Sequence, residues 1–168
     1  MFMKKVLFVA LFVASGFIAA NAQEGFKFGA GVNVGLPVGD AGDISSFTVG
    51  GELQGEYKFS ANASVVATTG YTHFIGKDFE GFKFSYGAVP ILAGARYYPS
   101  AKFFVGGQIG YGFFTGDASG GGFAYKPQVG YDAGNAQIAL GYNAITDDGA
   151  TISWIGLSAI FNFGAAKK

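Results

Sequence analysis

The sequence contains few residues that could do chemistry, and the most suggestive are two carboxylates. Glu52 and Glu56 fall on the same side of a run in which apolar and polar residues alternate, so in a β-strand they share one face. A pair of carboxylates can supply general acid and base catalysis, as in glycosidases. Arg96 and Lys126 occupy the polar side of other runs, and buried charges need partners. Ion pairing is therefore favoured over catalysis, and we expect Glu52 within ion-pair distance of Arg96 or Lys126.

The single histidine is the second candidate for chemistry. His73 is followed by Asp78 and Ser85, and a Ser-His-Asp set could activate a serine nucleophile. Nothing in the spacing fixes these residues against one another, and a lone histidine near the end of a strand is more often solvated or interfacial. We therefore expect no catalytic residues.

No metal or cofactor is expected. The chain has no cysteine and one histidine, which leaves few metal ligands and excludes a thiol nucleophile. Asp40, Asp43 and the acidic residues of 147–149 could bind calcium weakly. Because they fall in connecting segments, turn chemistry explains them equally well.

The composition favours β-structure. Of the 168 residues, 29 are glycine, 17% are aromatic and only 13% are charged. Glycine costs about 1 kcal/mol at each position inside a helix, whereas aromatic side chains prefer a pleated surface. A single all-β domain is therefore expected.

The first residues are typical of a secretory signal peptide. After two lysines, the apolar run 6–20 leads to a small-x-small cleavage pattern that ends at Ala22. We expect residues 1–22 to be cleaved, leaving 23–168 as the mature domain; a membrane anchor is the alternative, although the run is short for a span. The mature chain would keep nine basic against 11 acidic residues, and without a basic excess nucleic-acid binding is not expected.

The remaining chain alternates with period two in eight runs, the pattern of strands with one apolar face. The hairpin 89–114 shows it on both sides of a tight turn at 99–102. The runs are 26–38, 47–59, 63–73, 89–98, 103–114, 123–133, 136–145 and 152–163. The connections after the first, third, fifth and seventh runs are long and polar, and the others are short. This alternation predicts an eight-stranded antiparallel up-and-down β-barrel. Both termini are expected at the end of the barrel that carries the short turns.

The side of each run without large apolar residues determines which way the strands face. In a soluble barrel this side would carry charged residues and be exposed to water, but here it is mostly glycine with few charges. Such a surface suits a narrow lumen, where glycines leave room for longer polar side chains to reach across and pair. The expected polar network of the lumen comprises Glu52, Glu56, Arg96, Gln108, Lys126 and Gln128.

The aromatic residues of the apolar side separate by height. One group falls at the end with the short turns, a second at the opposite end, and aliphatic residues lie between them, as on a lipid-facing wall. The aromatic belt at the end with the short turns comprises Tyr57, Phe59, Tyr97, Phe103, Tyr131, Phe161 and Phe163. A transmembrane barrel is therefore predicted, because closure satisfies every backbone group that lipid cannot.

The chain resembles the small eight-stranded outer-membrane β-barrel proteins of Gram-negative bacteria, the porin-like family that includes OmpX- and OmpW-type barrels. The features that carry the resemblance are the signal peptide, the eight alternating runs, the hairpin arm VPILAGARYYP and the closing strand WIGLSAIFNF. It covers nearly all of the mature chain. The resemblance implies the outer membrane as location, short turns in the periplasm, and the barrel-assembly machinery, outer-membrane lipids and lipopolysaccharide as partners. We expect a monomer.

The expected role is non-enzymatic, in envelope structure or surface interaction, with the lumen plugged by polar side chains. An eight-stranded barrel encloses space for little more than its own side chains. A narrow porin-like channel for ions or small solutes is the alternative, because inner glycines leave room for a thin water path, and a lipid-modifying outer-membrane enzyme is a third reading. The sequence names no ligand.

The segment 74–84 is expected to be exposed. It holds four phenylalanines and two lysines, which could contact lipopolysaccharide or a partner. Projection beyond the membrane as a small sheet is the favoured alternative, because aromatic side chains on a hairpin pack on one another.

Overall fold

The computed structural model describes residues 25–163, which form ten strands and one short helix. The expected signal peptide and residues 164–168 lie outside the described residues. The strands are β1 (Phe26–Val38), β2 (Ser45–Lys58), β3 (Ala63–Gly76), β4 (Asp78–Phe79), β5 (Phe82–Lys83), β6 (Tyr86–Tyr97), β7 (Phe103–Gly116), β8 (Gly121–Asp132), β9 (Ala136–Asp147) and β10 (Ala150–Phe163), and the helix is α1 (Asp40–Ile44). No helix in this part of the chain is long and apolar enough to cross a membrane.

Eight strands close into one barrel. The order around it is β1, β2, β3, β6, β7, β8, β9 and β10, and each strand is antiparallel to its neighbours. The closing pair, β1 with β10, runs from Phe28 opposite Phe163 to Val38 opposite Ser153. The predicted fold class, an all-β eight-stranded antiparallel up-and-down barrel, is confirmed.

The barrel has two different ends. At the terminal end β1 begins and β10 ends, and three short turns, 59–62, 98–102 and 133–135, join the strands. At the loop end lie α1, a separate two-stranded hairpin of β4 and β5, the segment 117–120 and the turn 148–149. The two longest connections, 39–44 and 77–85, therefore lie at the loop end.

One connection at the loop end is shorter than its sequence predicts. β9 and β10 continue to Asp147 and Ala150, so only Asp148 and Gly149 join them. Both have positive φ, 45° and 84°, as a two-residue hairpin turn requires. The predicted long loop 146–151 is therefore wrong, because its polar residues are paired in the strand ladder and do not leave it.

The segment 74–84 is exposed only in part. β3 continues to Gly76, and the Phe74 side chain is completely buried inside the barrel. The chain leaves the wall only after Gly76, where β4 and β5 form the small sheet and Phe82 is 83% exposed. The predicted exposure is wrong for Phe74, because this residue continues the inward positions of β3.

Two prolines interrupt the ladders without shifting them. The pairing of β3 with β6 stops opposite Pro90, that of β8 with β9 stops at Pro127, and the same register resumes beyond each gap. Proline has no N–H to donate. The irregularity at these positions is therefore a lost pairing and not a bulge.

The wall turns its apolar side outward. Near mid-height, Val32, Ile91 and Ile109 are 62%, 55% and 61% exposed on the outer surface. The side chains at the alternate positions of the strands point inward and are buried, among them Gln54 and Gln108. This is the reverse of a water-soluble protein, which buries its aliphatic side chains.

Candidate functional site in the lumen and at the rim

The terminal half of the lumen is filled by a network centred on Arg96. This side chain points inward from the end of β6 and is 3% exposed. Its Nη1 donates to Glu56 Oε2 at 3.0 Å and its Nη2 donates to Gln54 Oε1 at 2.7 Å, both on β2, which is separated from β6 only by β3. The guanidinium plane also lies over the Phe104 ring, 4.2 Å from its centroid. Arg96 therefore ties β6 to β2 through a charged, geometrically fixed contact.

Glu56 is satisfied by several donors besides Arg96. Ser64 Oγ donates to its Oε1 at 2.7 Å, Gln137 Nε2 donates to its Oε2 at 2.8 Å, and the Tyr98 hydroxyl also donates to Oε1. Gln137 Oε1 accepts from Arg96 and from Gln54. A buried carboxylate with this many donors is an ionic plug and has no free lone pair for acid-base catalysis.

The terminal end is closed by a second carboxylate. Asp132, at the end of β8, is within 3.2 Å of Lys27 Nζ and 3.4 Å of Lys58 Nζ. The Tyr98 hydroxyl also donates to it at 3.3 Å. Burial, and next the Glu56 carboxylate, raises the pKa of the Tyr98 phenol, so this hydroxyl stays protonated and shares its one hydrogen between the two carboxylates.

The middle of the lumen holds one ion pair and a small void. Lys126 Nζ lies 3.0 Å from Glu52 Oε1, the contact expected from the sequence, and Ser158 Oγ donates to the other Glu52 oxygen at 3.0 Å. Beside them is a cavity of about 20 Å³ lined mostly by polar and small residues, among them Asn33 and Thr72, and also by Leu92 and Trp154. This volume suffices for about one water molecule.

The loop half of the lumen is mostly apolar, although Ser45 and Thr48 are also buried there. Phe74 stacks on Tyr86 with ring centroids 4.5 Å apart, and Trp154 meets Phe74 edge-on at 5.1 Å. The cluster is completed by Ala88, Leu92, Ala124 and Ile145, all buried. We call these seven residues the aromatic plug.

The structure places each predicted residue as follows. The six side chains of the predicted network all face the lumen, but Gln108 stands apart from the Arg96 network and accepts from Thr68 Oγ1 at 2.8 Å. The seven residues of the predicted belt all lie on the outer surface of the terminal half, 36–64% exposed.

Members of the network that the sequence did not single out are Lys27, Gln54, Lys58, Ser64, Tyr98, Asp132 and Gln137. All of them lie on the lumen side of a run, so alternation could have found them; Tyr98 is the one aromatic residue among them and ends the run 89–98.

A second polar group, the rim group of Tyr71, His73 and Ser85, lies outside the barrel wall at the loop end. Ser85 Oγ and His73 Nε2 form a 3.0 Å hydrogen bond, and His73 Nδ1 is 3.2 Å from the Tyr71 hydroxyl. Asp78, the third member suggested by the sequence, pairs instead with Lys83 on the separate hairpin. The serine and histidine are thus brought together and the predicted acid is not.

No group of three or more metal-ligating His, Cys, Asp or Glu side chains occurs within residues 25–163. Asp148 and Gly149, considered above for calcium, form the tight turn between β9 and β10.

Comparison with protein-family models finds no match, and comparison with curated protein sequences finds none. Solved structures are similar in fold. The outer-membrane protein Ail of Yersinia pestis, in a phospholipid bilayer nanodisc, has a TM-score of 0.61 at 18% identity, over 83% of this chain and 100% of that chain. Neisserial surface protein A has a TM-score of 0.56 at 16% identity, over 84% and 97%.

The N-terminal β-barrel domain of Pseudomonas aeruginosa OprF has a TM-score of 0.53 at 12% identity, over 83% of this chain and 98% of that domain. At such identities the likeness concerns the path of the backbone. The chain has the fold of the small eight-stranded outer-membrane β-barrel proteins.

Proposed function

We propose that this protein is an integral outer-membrane β-barrel with a plugged lumen, which serves envelope structure or surface interaction through its loop end. The observation that carries the proposal is the inverted wall. A band of exposed aliphatic side chains, such as Val32 and Ile109, surrounds an interior of paired charges. A barrel in water would gain nothing from this arrangement, whereas lipid favours it.

The proposal includes a route and an orientation. A signal peptide cut after Ala22 directs export, and the barrel-assembly machinery inserts the chain as a monomer. The terminal end then lies in the periplasm and the loop end faces outward, since short turns are periplasmic in such barrels. Outer-membrane lipids and lipopolysaccharide contact the wall, and nucleic acid is not a partner.

An arginine placed on the outer surface tests the proposal. Ile109→Arg, at mid-height of β7, is expected to destabilise the barrel in phospholipid vesicles by about 2–4 kcal/mol, because a charge at the bilayer midplane is costly. The free energy of unfolding in denaturant measures this effect. Phe82→Arg, on the β4–β5 hairpin beyond the wall, is the control and is expected to change stability by less than about 0.5 kcal/mol. Equal, small effects of both variants would contradict a lipid-facing wall.

The channel alternative has one observation in its favour, the polar cavity beside Glu52 and Lys126. Against it, the Arg96 network fills the lumen on one side of this cavity and the aromatic plug fills it on the other. A plugged barrel is therefore favoured. The conductance of the protein in a planar bilayer separates the two functions.

A further inference from the structure

The rim group joins a hydroxyl to an imidazole on the outside of the barrel. His73 and Ser85 lie on neighbouring strands, at the loop ends of β3 and just before β6, and each is half-buried. His73 lies between Thr72 and Phe74, which are both buried inside the lumen. Its imidazole therefore points away from the lumen, so the 3.0 Å contact with Ser85 plays no part in the plug.

The backbone of Ser85 is fixed from the opposite side. Asp117 Oδ2 accepts from the Ser85 N–H at 3.0 Å, and the Asp117 N–H donates to the Ser85 carbonyl at 3.2 Å. This double contact with the start of the 117–120 segment leaves the Ser85 hydroxyl free to turn toward His73. A serine at the edge of a mobile loop would not be held in this way.

Tyr71 orients the other side of the imidazole. Its hydroxyl is 3.2 Å from His73 Nδ1, and the two rings are nearly parallel, with 24° between their planes. Gly87 allows this position, because a Cβ there would collide with the phenol of Tyr71. When Nδ1 carries the proton and donates to the Tyr71 oxygen, Nε2 is free to accept the Ser85 proton, as a general base must.

The position of the group limits what it can meet. Tyr71 is 44% exposed on the outer surface of the loop half, where Phe113 and Phe123 are 46% and 53% exposed. Aromatic rings of this kind settle at the headgroup level of a bilayer. The ester carbonyls of lipids lie at that level, next to water, so the substrate class rests on the membrane location proposed above.

We propose that Ser85 and His73 form a nucleophile and general-base pair that hydrolyses acyl esters of membrane lipids at the rim of the barrel. Ser85 Oγ attacks the ester carbonyl and forms a new C–O bond while its proton passes to His73 Nε2. The imidazolium returns this proton to the departing alcohol, leaving an acyl group on Ser85. Water, deprotonated by His73, then releases the fatty acid and regenerates the serine, so one ester and one water give one acid and one alcohol.

The experiment uses the folded barrel in detergent micelles, with folding checked by its heat-dependent shift on a gel. A fluorophosphonate probe, which reacts with activated serines, is expected to label the protein, and a phospholipid dispersed in the micelles is expected to lose fatty acid. Ser85→Ala should abolish labelling, and His73→Gln should slow it by about 100-fold or more, the usual contribution of a general base. The matched control, Ser60→Ala, removes an exposed serine of a terminal-end turn and should label like the unchanged protein.

Tyr71→Phe separates an orienting phenol from a bystander. Loss of the phenol hydroxyl should slow labelling less than His73→Gln does. It should also change the ¹⁵N signals of the imidazole, which are assigned without ambiguity because the chain has one histidine. Labelling of the folded protein no faster than that of Ser85→Ala would overturn the proposal. Turnover of a water-soluble ester without turnover of the micellar phospholipid would keep the serine nucleophile and overturn the lipid substrate. Neither result depends on the unfolding measurement with Ile109→Arg, so failure of the proposed function is recognised separately.

Discussion

The two halves of the lumen are filled by opposite chemistries within the same barrel. In the terminal half, Arg96, Glu56 and Asp132 are buried with their charges paired. In the loop half, Phe74, Tyr86 and Trp154 pack ring against ring. Both halves fill the lumen with side chains, but the first does so through directional contacts and the second through shape.

This difference determines how each half responds to the loss of one member. A buried ion pair contributes little against an apolar replacement, yet removal of one partner leaves an uncompensated charge. An aromatic cluster loses roughly the contacts of the group removed, and truncating a second member removes further contacts and relieves no uncompensated charge. The halves should therefore differ most in how double substitutions combine.

The largest effect is expected in the terminal half. Arg96→Met should lower the free energy of unfolding by about 3–5 kcal/mol, because Glu56 remains buried without its cation. Adding Glu56→Gln should restore part of this loss, since the uncompensated charge is then gone. Denaturant unfolding in phospholipid vesicles measures both. A double variant less stable than Arg96→Met would mean that this half does not act as an ion-paired unit.

A smaller effect is expected in the loop half. Phe74→Leu keeps an apolar side chain of similar size and loses the ring contacts with Tyr86 and Trp154, so a loss of about 1–2 kcal/mol is expected by the same unfolding measurement. Adding Trp154→Phe should lower the stability further, in contrast to the recovery expected in the terminal half. Recovery here would remove the distinction between the halves.

The smallest effect is expected on conduction. Removing the side chains that fill one half of the lumen should leave the barrel closed to ions. Replacing Glu56 and Arg96 by alanine leaves the aromatic plug, and replacing Phe74 and Trp154 by alanine leaves the Arg96 network. Neither pair should give channels in a planar bilayer, whereas all four substitutions together should, provided that the gel shift shows a folded barrel. Conductance from one pair alone would show that the other half does not seal the lumen.

Most of the fold could be predicted from the alternation of residues. The first strand, 26–38, agrees with β1 at both ends, because a turn-forming Gly39 follows a clean apolar face. The predicted loop after the seventh run failed because Thr146 and Thr151 are polar but continue the ladder. Polarity by itself does not distinguish a loop from a strand that projects beyond an apolar band.

The site could be predicted in part. Alternation placed Glu52, Glu56 and Arg96 on the side that forms the lumen. Lys126, which pairs with Glu52 in the structure, is one of the two partners expected for it. Tyr98 shares the parity of Arg96 but was not singled out, because it is an aromatic residue in the last position of its run, and its ring lies in the lumen beside Glu56. The hydrogen bond of Ser85 with His73 was equally out of reach of spacing, since the β4–β5 hairpin lies between them in sequence.

The sequence by itself determined the strands, the two faces of each strand and the direction in which a closed barrel must turn them. These properties follow from a repeat of two residues, which is local and survives any change of partner. Only the tertiary structure decided which polar side chains meet across the lumen, where the charged half gives way to the aromatic plug, and that a serine and a histidine touch at the rim. Such contacts depend on strand register, tilt and the path of the turns, and these are set when the whole barrel closes.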